Sequence, residues 1–160
     1  MNKQSLLEHI LAALESAYTV AADAAKQAHD TATHEENVAE NKYDTLGLEA
    51  SYLAQGQAQR VSECEADLAV FKNLDAKVFS ETMPIALGAL VKLRDEENVE
   101  QLLFLGPSAG GLKLTFYQDV ITLITPSAPL GKLLVGRFVD DEIEISLGNK
   151  KQCYEISSVY

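Results

Sequence analysis

From Leu7 onward, apolar side chains return at spacings of four and three: Leu7, Leu11, Leu14, Tyr18, Ala21, Ala25 and Ala28. A second run with the same spacing follows at Gly47, Ala50, Ala54, Gln57, Val61, Cys64, Leu68 and Phe71. Spacing of this kind predicts two amphipathic helices of coiled-coil type. Folding the chain back about residues 37–38 brings the seams into antiparallel register. Leu7 then faces Leu68, Leu11 faces Cys64, Leu14 faces Val61, Ala21 faces Ala54 and Ala25 faces Ala50. Large residues gather at the base and small ones toward the tip, which predicts a slender finger. Each arm would hold about 30 residues and reach roughly 45 Å. A rival signal at the turn is Thr33-His34-Glu35-Glu36, a capping-box pattern that would start the second helix a turn earlier, with Thr33 as N-cap. The tip is therefore expected somewhere within residues 30–41.

The period changes after residue 80. The first 79 residues hold no proline, and glycine only at Gly47 and Gly56; all four prolines and seven of the nine glycines follow Met83. Strand-like stretches (QLLFL, KLTFY, VITLI, EIEIS and YEISSVY) occur only in this second part, separated by turn signals at 106–111, 125–129 and 148–151. PLGKLLVGR, at 129–137, reads as a short amphipathic helix closed by Gly136. Residues 1–79 are thus expected to form the antiparallel helical hairpin. Residues 84–160 are expected to form a twisted antiparallel sheet covering one short helix, and the whole chain is of the α+β class.

Charge narrows the functional classes. The 13 basic and 24 acidic residues give a net charge of −11, and residues 1–80 hold 13 of the acids against 6 bases. A surface of this sign repels phosphate backbones, so direct nucleic-acid binding is not expected as the main activity. The segment 1–18 mixes charged and apolar positions as an amphipathic helix does, not as a signal peptide does, and no apolar run reaches membrane-spanning length. Cys64 and Cys153 stand in no metal-ligand spacing and predict a reduced, cytoplasmic protein. Gly110-Gly111 is a turn, because no lysine-serine pair or helix start follows it.

Candidate chemistry concentrates at the finger tip. Asp30, Glu35, Glu36, Glu40 and Asp44 place five carboxylates within fifteen residues. Two readings stand side by side. The acids form a carried tip that holds a divalent ion in a partner's active site, since Mg²⁺ takes hard oxygen ligands and keeps its waters, or they form a solvated, helix-capping charge run. No serine, histidine and acid arrangement for nucleophilic catalysis emerges, and all three histidines lie in the finger half.

The C-terminal forty residues, ITLITPSAPLGKLLVGRFVDDEIEISLGNKKQCYEISSVY, resemble the end of the GreA/GreB family of bacterial transcript-cleavage factors. Turn, helix and strands come in the same order as in that family's S-P-L-G…G-D-x-V-x-V…Y-E-I pattern. In the finger, THEEN followed by a tyrosine, and later QGQAQRV, resemble the family's D-L-x-E-N-A-E-Y and Q-G-x-x-E-x-R-I more loosely.

The resemblance implies an FKBP-like C-terminal domain that docks on RNA polymerase beside its secondary channel. It also implies a finger that enters the channel and an acidic tip that shares a Mg²⁺ with the polymerase, no cofactor being bound by the factor alone. Carried over by position, Glu36 and Asn37 match the family's E-N pair. The family's tip aspartate falls on Thr33, which breaks the two-carboxylate pair unless Asp30, Glu35 or Glu40 supplies the second acid. The docking segment carries over as Ser127, Ala128, Pro129 and Leu130, with Ala128 where the family usually has serine. Leu133 and Leu134 are assigned instead to the core of the short helix. The resemblance thus implies a monomeric regulator that acts through the polymerase and is not itself an enzyme. The competing readings are an FKBP-like peptidyl-prolyl isomerase, whose pocket is usually lined by aromatics around a tryptophan that this chain lacks, and a plain coiled-coil interaction module.

Overall fold

A computed structural model describes residues 2–34, 40 and 45–160. Two long helices come first, α1 (Lys3–Thr33) and α2 (Leu46–Lys72). Six strands and one short helix follow: β1 (Leu90–Asp95), β2 (Glu100–Leu105), β3 (Lys113–Phe116), β4 (Asp119–Ile124), α3 (Pro129–Leu134), β5 (Glu142–Leu147) and β6 (Lys150–Val159). The chain divides into two compact units. One comprises Ala12–Ala69, and the other Met1–Leu11 with Val70–Tyr160.

In the helical unit the observed burial follows the two seams. Leu14, Ala21 and Ala28 are buried on α1, with Tyr18 and Ala25 half-buried between them. On α2, Ala50, Cys64 and Leu68 are buried and Gly47, Ala54, Gln57 and Val61 half-buried, while nearly every other position faces solvent. Burying small side chains along a seam lets two helices approach closely, so the alanine-rich stretch fits a thin hairpin.

The start of the finger differs from one of the two expectations. Thr33 is no N-cap: it is the last residue of α1, and its hydroxyl donates to the His29 carbonyl at 3.0 Å. A threonine hydroxyl that finds an acceptor one turn back satisfies itself inside the helix and leaves no cap for a following one. α2 begins after Thr45, whose carbonyl accepts from Glu49 N–H at 2.8 Å and whose hydroxyl donates to the Glu49 carboxylate at 3.0 Å. Positions 30–33 therefore belong to α1, and 35–39 and 41 of the expected tip lie outside the described residues.

In the second unit the strand order is β3-β4-β2-β1-β6-β5. All neighbours pair antiparallel except β2 and β4, which run parallel with Leu102 opposite Ile121. This departs from the purely antiparallel sheet expected. The loop after β2 carries the chain past the β4 position to the edge, where β3 forms, and the two-residue turn 117–118 returns it inward alongside β2. The strand candidates also omitted β1, the central strand. Its Leu90-Val91-Lys92-Leu93-Arg94 alternation buries the leucines and valine, while Lys92 and Arg94 reach Glu100 on β2 at 3.0 and 3.4 Å.

One sheet face carries Val91, Leu93, Leu103, Leu105, Ile143, Ile156 and Val159 into a core with Phe79, Ile85 and Leu134 of α3. The ends of the long helices that belong to this unit meet the other face. The Phe71 and Phe104 rings lie 6.4 Å apart, and His9 meets Phe116 edge-on at 4.9 Å. Among the described residues Lys3 is the buried charge of the unit: only 6% of it is exposed, and its Nζ donates to the Tyr160 carbonyl oxygen. Its ammonium also lies 5.4 Å from the Phe79 and Phe104 ring centroids, a cation–π arrangement that offsets part of the desolvation. Burial nonetheless pushes Lys3 down to about 8.

Candidate functional site

The segment 125–130 takes its shape from its own sequence. Pro129 occupies the first turn of α3, where a missing N–H leaves nothing unsatisfied. Ala128 before it is extended, with φ −64° and ψ 151°, the conformation a following proline favours. Ala128 N–H donates to the Thr125 carbonyl at 3.0 Å, and the Thr125 and Ser127 hydroxyls lie 3.0 Å apart. Lys132 N–H then closes the first helical bond onto the Ala128 carbonyl at 2.9 Å.

Gly131 allows this turn to sit against α3. A Cβ at that position would lie 2.0 Å from the Thr125 carbonyl oxygen and 2.9 Å from its carbon. No side-chain movement relieves a clash with backbone, so only glycine fits. Leu134 is fully buried beneath, with Leu130 and Leu133 packed partly against the same core. Leu133 and Leu134 thus serve the core as expected. α3 ends at Leu134; the Val135 N–H that caps it donates to the Gly131 carbonyl at 3.1 Å, and Gly136 follows with φ +80°.

Of the four predicted partner-binding residues, Ser127 and Pro129 are exposed, while Ala128 and Leu130 are half-buried. The free surface of the turn is therefore narrower than the four-residue segment. Val135 and Phe138, exposed by 47% and 42%, stand in the segment just after the helix. Sequence reasoning passed over both: Val135 falls inside the stretch read as the short helix, and Phe138 falls between that helix and the next strand-like stretch.

At the finger end, Asp30 and Glu40 are exposed, and Glu35 and Glu36 lie outside the described residues. Thr33, standing where an aspartate would complete a carboxylate pair, directs its hydroxyl to the His29 carbonyl at 3.0 Å and the Asp30 carbonyl at 3.4 Å. That donor set does not fit a two-carboxylate Mg²⁺ clamp built on position 33. Among the described residues no three histidine, cysteine or acidic side chains gather as a metal site, and no helix is long and apolar enough to cross a membrane.

No family model matches. Transcription elongation factor GreA of Sinorhizobium medicae (strain WSM419) is 31% identical over 119 residues, which span 71% of this chain and 72% of that protein. GreA of Rhizobium meliloti (strain 1021) matches to the same extent. Among solved structures, the GreA factor homolog Gfh1 of Thermus thermophilus aligns over 94% of both chains with 17% identity and a TM-score of 0.38. The GreA/GreB factor of Nitrosomonas europaea aligns over 70% of this chain and 91% of its own with 22% identity and a TM-score of 0.37.

Proposed function

This chain belongs to the GreA/GreB family of transcription elongation factors, and from that premise we propose that it regulates RNA polymerase by docking through its sheet unit and placing its helical finger in the secondary channel. The observation that carries the reading is the joining, in one chain, of a hairpin unit to a sheet unit whose rigid 125–130 turn exposes Ser127 and Pro129. Two side chains on a turn fixed by backbone hydrogen bonds and by Gly131 are ordered before binding, so docking them costs little further entropy. The net charge of −11 suits a partner surface of basic character and disfavours free nucleic acid as the main target.

In this reading the protein is a regulator that works through the polymerase, and its own stimulation of transcript cleavage is weak or absent. Threonine at position 33 supplies no charge, and its proton is already committed to the helix. Glu36 stays the first choice among the tip acids that face the polymerase centre, with Asp30, Glu35 and Glu40 as the second acids.

Two measurements test this. Tagged protein should retain core RNA polymerase, and backtracked elongation complexes should be cleaved little faster with the natural protein than without it. Thr33→Asp should then strengthen cleavage. Failure to retain the polymerase would end the reading, and robust natural cleavage that survives Glu36→Ala would overturn the assignment of the tip.

A further inference from the structure

The turn between β3 and β4 holds a residue that neither the fold nor the 125–130 segment explains. Phe116 pairs with Asp119, so the hairpin turns on only two residues, Tyr117 and Gln118. Tyr117 has φ +56°, a left-handed conformation that glycine adopts freely and a tyrosine side chain resists. The other described non-glycine residues with positive φ are Asn98, Ala109 and Asp140. Asparagine and aspartate tolerate that region through local hydrogen bonds, and alanine is small. Tyr117 has neither advantage.

The ring gains nothing by burial, since 80% of the residue is exposed. Among the described residues its aromatic neighbour is Phe116, met edge-on at 4.6 Å. Phe116 is itself 1% exposed and packs edge-on against His9 at 4.9 Å. The strained turn is therefore held in place by a buried anchor directly before it. A strained backbone held by its surroundings and presenting an unburied aromatic ring has the character of a contact site, where strain is tolerated for what the residue meets.

The surroundings narrow what it meets. Val120, 58% exposed, stands three residues on, beside a hollow of about 160 Å³ lined by Lys92, Glu100, Leu102, Asp119 and Val120. Glu100 pairs with both Lys92 at 3.0 Å and Arg94 at 3.4 Å, and Lys92 also feels the charge of Asp119, so these four charges balance and the exposed Asp119 is the carboxylate next to the turn. An aromatic ring, a valine and a carboxylate fit a protein surface that offers an apolar pocket bordered by a cationic side chain. A phosphate backbone would be repelled by a chain of net charge −11.

We propose that the β3–β4 turn, led by Tyr117 with Val120 and Asp119 beside it, is a second anchor onto RNA polymerase, separate from the 125–130 turn; this rests on the reading given under Proposed function. The two anchors stand at opposite ends of β4, Asp119–Ile124, whose five rises span roughly 17 Å at 3.3–3.4 Å per residue. A surface held at both points would be fixed in orientation as well as in place. Tyrosine suits the role because it brings large contact area with only two side-chain torsions to order.

The test compares Tyr117→Gly, Tyr117→Asn and Tyr117→Phe with the natural protein in binding to core RNA polymerase. Glycine and asparagine both accept the positive φ, so neither variant has reason to misfold, and Tyr117→Gly should raise Tm by about 2–4 °C through relief of strain. Both should bind the polymerase at least tenfold more weakly, while Tyr117→Phe stays within about twofold of the natural protein. Polymerase binding that is intact in Tyr117→Gly would overturn the second anchor and leave the first untouched. Natural protein that fails to bind the polymerase at all would overturn both. A parallel titration of tyrosine fluorescence with a single-stranded oligonucleotide should show no change at moderate salt. Saturable quenching lost in Tyr117→Gly would assign the ring to nucleic acid and refute the proposal.

Discussion

Replacing Gly131 by alanine should damage this protein more than any exposed glycine substitution. The added Cβ would stand 2.0 Å from the Thr125 carbonyl oxygen, 2.9 Å from its carbon and 3.2 Å from the Pro126 Cα. Carbon and oxygen ordinarily come no closer than about 3.3 Å, so the turn and α3 must separate by more than 1 Å, roughly. Every atom in the clash is backbone, and a rotamer change offers no escape. Separation weakens the Ala128 N–H to Thr125 O bond of 3.0 Å and lifts the helix that buries Leu134. Overpacking alone costs about 1–3 kcal/mol, and partial loss of one buried leucine adds a further share of its roughly 2–5 kcal/mol. A total of about 3 kcal/mol corresponds to a fall in Tm of about 6–12 °C for a chain of this size.

Gly136→Ala is the matched control. Nothing lies within 4 Å of its Cβ position, but φ is +80°, so the cost is backbone strain alone, about 1 kcal/mol. Scanning calorimetry on the two variants separates the causes. If Gly131→Ala melts at or above Gly136→Ala, close approach of Thr125 to α3 is not what fixes glycine there, and the account of the turn's rigidity falls with it.

Three other substitutions probe independent parts of the chain. Ala25→Trp should overpack the half-buried seam of the finger and destabilise it by about 1–3 kcal/mol, read from a chemical melt followed at 222 nm; an unchanged midpoint would place Ala25 outside the seam. Pro129→Asp, on an exposed position at the start of α3, should leave the calorimetric profile within about 0.5 kcal/mol of the natural one while weakening polymerase binding in a pull-down; unchanged retention would remove this turn from the docking surface. Burial holds Lys3 at about 8 when folded against 10.5 when exposed, so between these values the unfolded chain binds more protons and stability should rise as pH rises. The gain is at most about 3 kcal/mol before the cation–π contacts offset part of it, and urea midpoints at pH 7.5 and pH 10 should show it in the natural protein and not in Lys3→Met.

The finger and the sheet unit were legible in the sequence for different reasons. A helical seam repeats every three or four residues, so one period carries through α1 and α2, and from Leu14 onward the buried positions are ones that the spacing marks, whereas at the base Leu6 and Ile10 are buried outside it and Leu11 within it is only half-buried. Strands offered shorter signals. β1 escaped because Lys92 and Arg94 alternate into a central strand, where polar side chains are unexpected until Glu100 on β2 is known to meet them. The parallel pairing of β2 with β4 also escaped, since no local pattern tells an edge strand inserted by a loop from one that follows its neighbour. Gly131 stood in plain view inside PLGKLL, yet its reason is a contact with Thr125, six residues earlier in the sequence, which only the folded turn reveals.

The capping box at 33–36 failed on a finer point. The residue types were right for a helix start, but Thr33 had two options, to cap a new helix or to bond back into the old one, and sequence spacing scores both alike. Its bond to the His29 carbonyl decides for the old helix. The same bond bears on function: a threonine absorbed into the last turn of α1 is part of the rod, and it does not project a charge from the tip. A factor can thus keep the hairpin and the 125–130 turn while one position at the finger's end departs from the family's acid. In the function proposed, docking and cleavage would be separable properties held by residues in different units of the chain, and a single substitution at position 33 would alter one without touching the other.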